Sequence, residues 1–324
     1  MKAVVARAYG PPESLAVEDL PSLEPKPGEV VVAVHAAAVN FPDTLMIEDR
    51  YQIKPPLPFS PGGEVAGTVQ ALGAGVTGWR PGDRVIAACR WGGFAEEVLT
   101  TPDRLVAIPQ GVSMEAAAAL LITYGTTHYG LQERALLRAG ETLLVLGAAG
   151  GTGLSAIELG KLMGARVIAA ASSEEKLALC RERGADATIN YAQQDLRERI
   201  KSLTDGRGVD VVYDPVGGEY AEPALRGMAW NGRYLVIGFT AGIPKLPLNL
   251  ALLKGCSIVG VFYGAFARAE PQRYAALREQ LVGWLAEGRV KPAITARYPL
   301  ERAAEALRIV ADRKALGKIV LTVR

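Results

Sequence analysis

The sequence predicts an α/β chain with an all-β part: a doubly wound parallel sheet preceded by a small barrel. Three observations predict it. Residues 1 to about 115 are short β-branched runs punctuated by Gly and Pro, whereas residues 140–262 alternate apolar strands with helical stretches. The third is an apolar strand over 143–146 that runs into a glycine-rich turn, 147–153, and then into a helix. With 324 residues, 49% hydrophobic and 22% charged, the chain is long enough for two cores and too apolar for disorder.

In the first part the strands are read over 29–35, 65–69 and 83–88, and the loop 54–61 carries Pro55, Pro56, Pro58 and Pro61. Rigid loops of this kind commonly hold ligand contacts. Ser113 is read as the N-cap of a helix over 115–121. The second part gives strands over 142–146, 166–170, 188–190, 210–213, 234–237 and 257–262. Helices over 154–163 and 174–183 separate the first of them, the latter closed by Gly184. Beyond it come a helix over 272–287, a strand near Arg297, a helix over 300–313 and a strand over 318–323. This closing section is expected to return to the first domain.

Lys+Arg (36) nearly balance Asp+Glu (34), for a net charge of +2, and no basic run tracks a phosphate backbone, so nucleic acid is not an expected partner. No apolar tract reaches the roughly 20 residues of a membrane span. The N-terminus reads as an immediate strand without a signal peptide, and the protein is expected to be soluble and cytoplasmic. Cys89, Cys180 and Cys256 are far apart, and His35 and His128 are read as structural, so no metal site is expected.

The glycine turn is the sharpest signal. A helix that opens on free backbone N–H groups with the positive end of its dipole suits a pyrophosphate, and side chains at Gly150 or Gly151 would block that approach. The spacing is Gly147-x-x-Gly150-x-x-Gly153 rather than the strict G-x-G-x-x-G. At the tip of the second strand, where a carboxylate would bind an adenosine 2′-hydroxyl, the chain has Ser172 and Ser173, with Lys176 and Tyr191 placed to reach the same corner. A 2′-phosphate is favoured there, and NADPH over NADH. Glu174 and Glu175 are read as first-turn acids of the next helix.

Together with the stretches 39–44, 62–67, 81–85, 210–218 and 317–321, these features resemble the zinc-free quinone oxidoreductase (zeta-crystallin-like) branch of the medium-chain dehydrogenase/reductase superfamily. The resemblance covers essentially the whole chain. It implies a GroES-like catalytic domain (1–121 and 266–324), a Rossmann NADPH-binding domain (122–265) and an active site in the cleft between them. Zinc-dependent relatives carry a His where this chain has Gly63, and a cysteine ligand in place of the 40–43 segment. By the same resemblance Asn40 and Thr126 lie by the nicotinamide, Gly150, Gly151 and Thr152 at the pyrophosphate, and Ser172, Ser173, Lys176 and Tyr191 at the adenosine phosphate. Gly217, Gly238, Phe239, Phe262, Gly264 and Lys318 complete the cofactor groove. The implied activity is metal-independent hydride transfer from NADPH to a quinone or an activated α,β-unsaturated carbonyl, enoyl thioesters included. Asn40 and Tyr51 are the candidate catalytic donors, and the alternative is a non-catalytic NADPH-binding protein of the crystallin kind. The apolar last strand of the parallel sheet is expected to pair two copies into a homodimer.

Overall fold

The computed structural model describes residues 1–324. The chain opens with β1 (Lys2–Val5), β2 (Ala16–Asp19) and β3 (Val30–Val39), which is buried on both faces at every residue but the half-buried His35, as its valine and alanine content dictates. There follow α1 (Phe41–Ile47), β4 (Glu64–Leu72), β5 (Arg84–Ala88), β6 (Glu97–Thr100), β7 (Leu105–Ala107) and α2 (Met114–Ala118). Next come α3 (Leu121–His128), β8 (Thr142–Leu146), α4 (Gly151–Leu162), β9 (Arg166–Ala171), α5 (Glu174–Glu182), β10 (Ala187–Asn190) and α6 (Leu196–Leu203). The alternation continues through β11 (Val209–Asp214), α7 (Ala221–Arg226), β12 (Met228–Val236), α8 (Asn249–Lys254) and β13 (Ser257–Gly260). After α9 (Tyr263–Ala269) and α10 (Pro271–Ala286), the final elements are β14 (Ile294–Pro299), α11 (Ala303–Ala311) and β15 (Lys318–Thr322).

The chain divides into two compact units, Met1–Ile122 with Arg278–Arg324, and Thr123–Leu277. The second boundary falls inside α10, later than the 265/266 division expected from the sequence. The reason is aromatic: Phe266 stacks on Tyr129 with centroids 4.2 Å apart and Tyr263 lies 5.4 Å from Tyr274, so α9 and the first turns of α10 belong to the second unit. The Arg278 guanidinium, in contrast, donates to the Asp103 carbonyl of the first unit at 2.9 Å.

The first unit is built on a sheet of order β14-β15-β3-β4-β5-β7, with β6 pairing the N-terminal half of β3 and a separate β1-β2 pair. The barrel is thus partly open, since no ladder joins β14 to β7. Val32, Val34, Val65, Phe94 and Leu321 lie in its core, and α11 covers one side with Ala303, Ala306 and Leu307. Residues 41–47 form a helix in this nominally all-β stretch. Pro42 lies in its first turn and Asp43 is a first-turn acid, two start signals that the all-β reading passed over. Ser113 caps α2 as expected, accepting from the Ala116 N–H at 3.2 Å, but that helix stops at Ala118.

The second unit is a six-stranded, wholly parallel sheet of order β10-β9-β8-β11-β12-β13. The order reverses between β8 and β11, and the carboxyl ends of strands beside such a reversal are where doubly wound sheets bind ligands. The expected 257–262 strand ends at Gly260, and Phe262 instead caps α9. No helix is long and apolar enough to cross a membrane.

Candidate functional site: a dinucleotide turn and a buried charge cluster

In the second unit, the apolar strand β8 leads into Gly147, whose φ of +56° suits only glycine without strain. Gly153 is fixed by packing: a Cβ there would sit 2.4 Å from the Gly147 carbonyl oxygen and 2.6 Å from Ala148 Cα. Gly150 is different. It caps α4 in an extended conformation, and a Cβ would meet only the Gly147 oxygen, at 3.4 Å. The first helical bond of α4 runs from Leu154 N–H to Gly150 O, so the amides of Gly151, Thr152 and Gly153 precede it, on a helix end whose dipole is positive. Gly150, Gly151 and Thr152 remain half-exposed at this end. Thr126 is half-buried on α3, and the next residue, Thr127, is wholly buried and bonded to Ser155 (2.7 Å) and Tyr213 (2.9 Å).

At the tip of β9, Ser172 is exposed, Ser173 caps α5 by accepting from the Lys176 N–H at 3.3 Å, and the Lys176 ammonium donates to Ser172 Oγ at 3.2 Å. Tyr191 follows β10 and donates its N–H to Ala171 O at 3.1 Å, which places it at the same corner, its ring 4.3 Å from that of Tyr220. Glu174 is drawn along α5 into an ion pair with Arg181, and its carboxylate is engaged there. Past β11, the Asp214 carboxylate accepts from the amides of Val216 (2.7 Å) and Gly217 (2.9 Å) and from the Tyr234 hydroxyl, fixing the turn that holds Gly217. Burial raises the pKa of Asp214 and that of Tyr234. Gly238 is half-exposed, and Phe239, Phe262 and Gly264 are exposed beyond the ends of β12 and β13.

In the first unit, Asn40 joins β3 to α1 and is 6% exposed. Lys318, which opens β15, is 4% exposed and donates to Asn40 Oδ1 at 2.7 Å and to Val39 O at 3.2 Å. Asn40 Nδ2 in turn donates to Ala38 O (3.2 Å) and to Glu64 Oε2 (3.4 Å), while Glu64 Oε1 accepts from the Ile122 N–H at 2.9 Å. Asp43 accepts from the Asn40 N–H at 2.8 Å, with the Gly62 and Gly63 amides. Two carboxylates and one ammonium thus share a buried site. Desolvation raises Glu64 to about 7 and Asp43 to about 6 against the opposing pull of Lys318, and lowers Lys318 itself.

These placements correct two expectations. Lys318 does not present a free ammonium, because its ammonium is buried against Asn40 and Val39. Asn40 does not offer a free amide to an oxyanion, because both Nδ2 hydrogens already have acceptors. Tyr51 lies past α1 and packs half-buried against the core of its unit. Asp43 and Glu64 were missed, although an acid opening an otherwise apolar strand, as Glu64 opens β4, is a readable sign of burial with a partner. No group of three His, Cys, Asp or Glu side chains is arranged to hold a metal ion.

Comparison with known proteins adds to this geometry. Residues 26–110 match the alcohol dehydrogenase GroES-like domain and residues 151–281 the zinc-binding dehydrogenase family. A quinone oxidoreductase-like protein 2 homolog of Nematostella vectensis is 40% identical over 100% of this chain and 89% of its own length. A quinone oxidoreductase of Pseudomonas aeruginosa is 37% identical over 99% of each chain. The crystal structure of Escherichia coli quinone oxidoreductase complexed with NADPH superposes with a TM-score of 0.94, at 28% identity over 100% of both chains.

Proposed function

We propose the function from one premise: this chain belongs to the quinone oxidoreductase branch of the medium-chain dehydrogenase/reductase superfamily. It is an NADPH-dependent oxidoreductase that reduces a quinone or an activated α,β-unsaturated carbonyl, without zinc. The observation that carries the cofactor is the corner at the tip of β9. There the Lys176 ammonium and Ser172 hydroxyl stand 3.2 Å apart, with Glu174 engaged by Arg181, so a phosphate meets a cation and a hydroxyl rather than an acid. The α4 amides then take the pyrophosphate, and the turn held by Asp214 lines the adjoining strand end. The bound dinucleotide supplies hydride.

The chain's own part is positioning and charge stabilisation. Reduction of a quinone or an enone leaves negative charge on the acceptor oxygen, and Tyr51 supplies a phenolic donor for it. With Asn40 committed internally, Tyr51→Phe should retain turnover at roughly a tenth of the wild-type rate, since water shares the donation. Zinc independence is supported by the donor set, which lacks a three-ligand cluster. The homodimer reading is supported by β13, which ends the sheet with an unpaired edge. It is also supported by the exposed Trp230, Ile243, Leu248, Leu252, Leu253 and Ile258.

The test is consumption of NADPH and of NADH with a panel of quinones, enones and enoyl thioesters, with and without a chelator. Turnover with NADPH, unchanged by chelation, is expected. Tight NADPH binding without turnover of any acceptor would leave the non-catalytic alternative standing, and chelator inhibition reversed by zinc would overturn the metal-free reading.

A further inference from the structure

Three hydroxyls meet inside the second unit, behind the glycine turn. Thr127 of α3, Ser155 of α4 and Tyr213 near the end of β11 are all wholly buried. What each group can donate fixes their order. The Thr152 carbonyl, in the first turn of α4, can only accept, so the hydrogen in its 2.9 Å contact with Ser155 Oγ belongs to Ser155, for which Thr123 O is a longer second acceptor at 3.3 Å. Thr127 then supplies the hydrogen in its 2.7 Å contact with Ser155, and Tyr213 the one in its 2.9 Å contact with Thr127. Every hydroxyl of the chain therefore donates toward Thr152. Thr127 Oγ1 also lies 3.4 Å from the same carbonyl. Burial raises the pKa of Tyr213, so the phenol at the head of the chain keeps its hydrogen at neutral pH.

Phenylalanine, valine and alanine would fill the same space at little cost in stability, since replacing all the partners of a buried hydrogen bond together is nearly neutral. What the hydroxyls add is direction. The Thr152 oxygen and the Gly153 N–H are opposite ends of one planar trans peptide, so gripping the oxygen aims the N–H. That N–H is one of the three amides ahead of the first helical bond of α4. A carbonyl that accepts an additional hydrogen bond also polarises its peptide, which makes the N–H a stronger donor. We propose that Tyr213 is a positioning residue for the pyrophosphate: through Thr127 and Ser155 its hydroxyl grips the Thr152–Gly153 peptide and aims the N–H at the open end of α4. Tyr213 itself does not touch the dinucleotide. The inference rests on the reading of this turn as the pyrophosphate site of NADPH.

The experiment has a binding arm and an arm that needs no ligand. In the first, NADPH and adenosine 2′-monophosphate are titrated against wild type, Tyr213→Phe and the triple variant Tyr213→Phe, Thr127→Val, Ser155→Ala, with urea unfolding of each. The monophosphate carries the 2′-phosphate but no pyrophosphate, so it reports on the Lys176 corner alone. Tyr213→Phe should weaken NADPH about three- to tenfold, the effect of one ordinary hydrogen bond, and leave the monophosphate within about twofold. Ser155→Ala carries the comparison if Tyr213→Phe does not fold. In the triple variant, stability should return to near the wild-type level while NADPH affinity stays low. Equal losses for both ligands would overturn the proposal, as would an NADPH affinity that recovers together with stability, because a merely structural role moves them alike. In the second arm, the Gly153 amide resonance of the cofactor-free protein should move in Tyr213→Phe, whose ring is otherwise unchanged. An unmoved resonance would refute the grip on the peptide, whatever happens to NADPH. A moved resonance with unchanged NADPH affinity in Tyr213→Phe would overturn the positioning role, and unchanged affinity in Gly150→Ala as well would place the failure in the pyrophosphate reading of the turn.

Discussion

In the proposed function, Lys176 carries the choice between the two dinucleotides. A charge-assisted bond to a phosphate contributes about 1.5–3 kcal/mol, so Lys176→Ala should weaken NADPH binding roughly ten- to a hundredfold and NADH binding hardly at all. Titration of both cofactors against the variant checks this, and equal losses would remove the phosphate from the corner. The buried acids make a second prediction. Glu64 rises to about 7 from its ordinary 4.5 and Asp43 to about 6 from 3.8, so between these limits the folded chain holds more protons than the unfolded one. Stability contributed by this cluster is therefore present at acid pH and is lost as pH rises through the folded values. In urea unfolding, wild type should lose stability relative to Glu64→Gln between pH 5 and pH 8, and a constant difference would show that Glu64 does not titrate there. The Ser172–Lys176 corner was legible because its parts are neighbours on one strand tip and one helical turn. The cluster was not, because Asn40 meets residues 24 and 278 positions away, and no local pattern encodes such a pairing.

Among the elements, α4 was the most readable, since its strand, turn and helix follow one another and each glycine has a separate duty. The difference between those duties can be measured. Gly153→Ala pushes a methyl into backbone at 2.4 Å and should cost about 2 kcal/mol or more in urea unfolding. Gly150→Ala meets nothing closer than 3.4 Å at an ordinary φ of −78°, so stability should stay within about 0.5 kcal/mol while NADPH affinity falls. If both variants keep full affinity, the turn does not carry the pyrophosphate. The short α1 was hidden because seven residues give too little periodicity to stand out from the surrounding strands. The ends of β12 and β13 were misjudged for a related reason: Ala229 and Trp230 continue β12 upstream of the expected strand, while the apolar 261–262 pair reads as strand but leads into a helix.

For the whole molecule, joining two copies through β13 would continue the sheet and cover the apolar surface of α8. Leu252→Asp with Leu253→Asp should turn the dimer into a monomer at micromolar concentration in sedimentation; a wild-type monomer under the same conditions would dispose of the edge-pairing reading. The change from barrel to parallel sheet was legible as a change of texture, whereas the division within α10 depends on aromatic rings meeting across 129–274 rather than on any break in composition. The place of β15 has a consequence for how the molecule is made. This strand lies between β14 and β3, and its first residue bonds to a carbonyl 279 positions earlier. On the ribosome, every strand of the parallel sheet emerges before β15 does, so that sheet can close while the barrel is still missing an interior strand. During this interval Asp43 and Glu64 have no counter-ion and must stay hydrated or protonated. A nascent chain arrested short of residue 318 should accordingly show a protease-resistant core over residues 123–277 and a digestible N-terminal region. The arrival of one lysine then supplies the counter-charge these two acids share and completes the barrel in the same step.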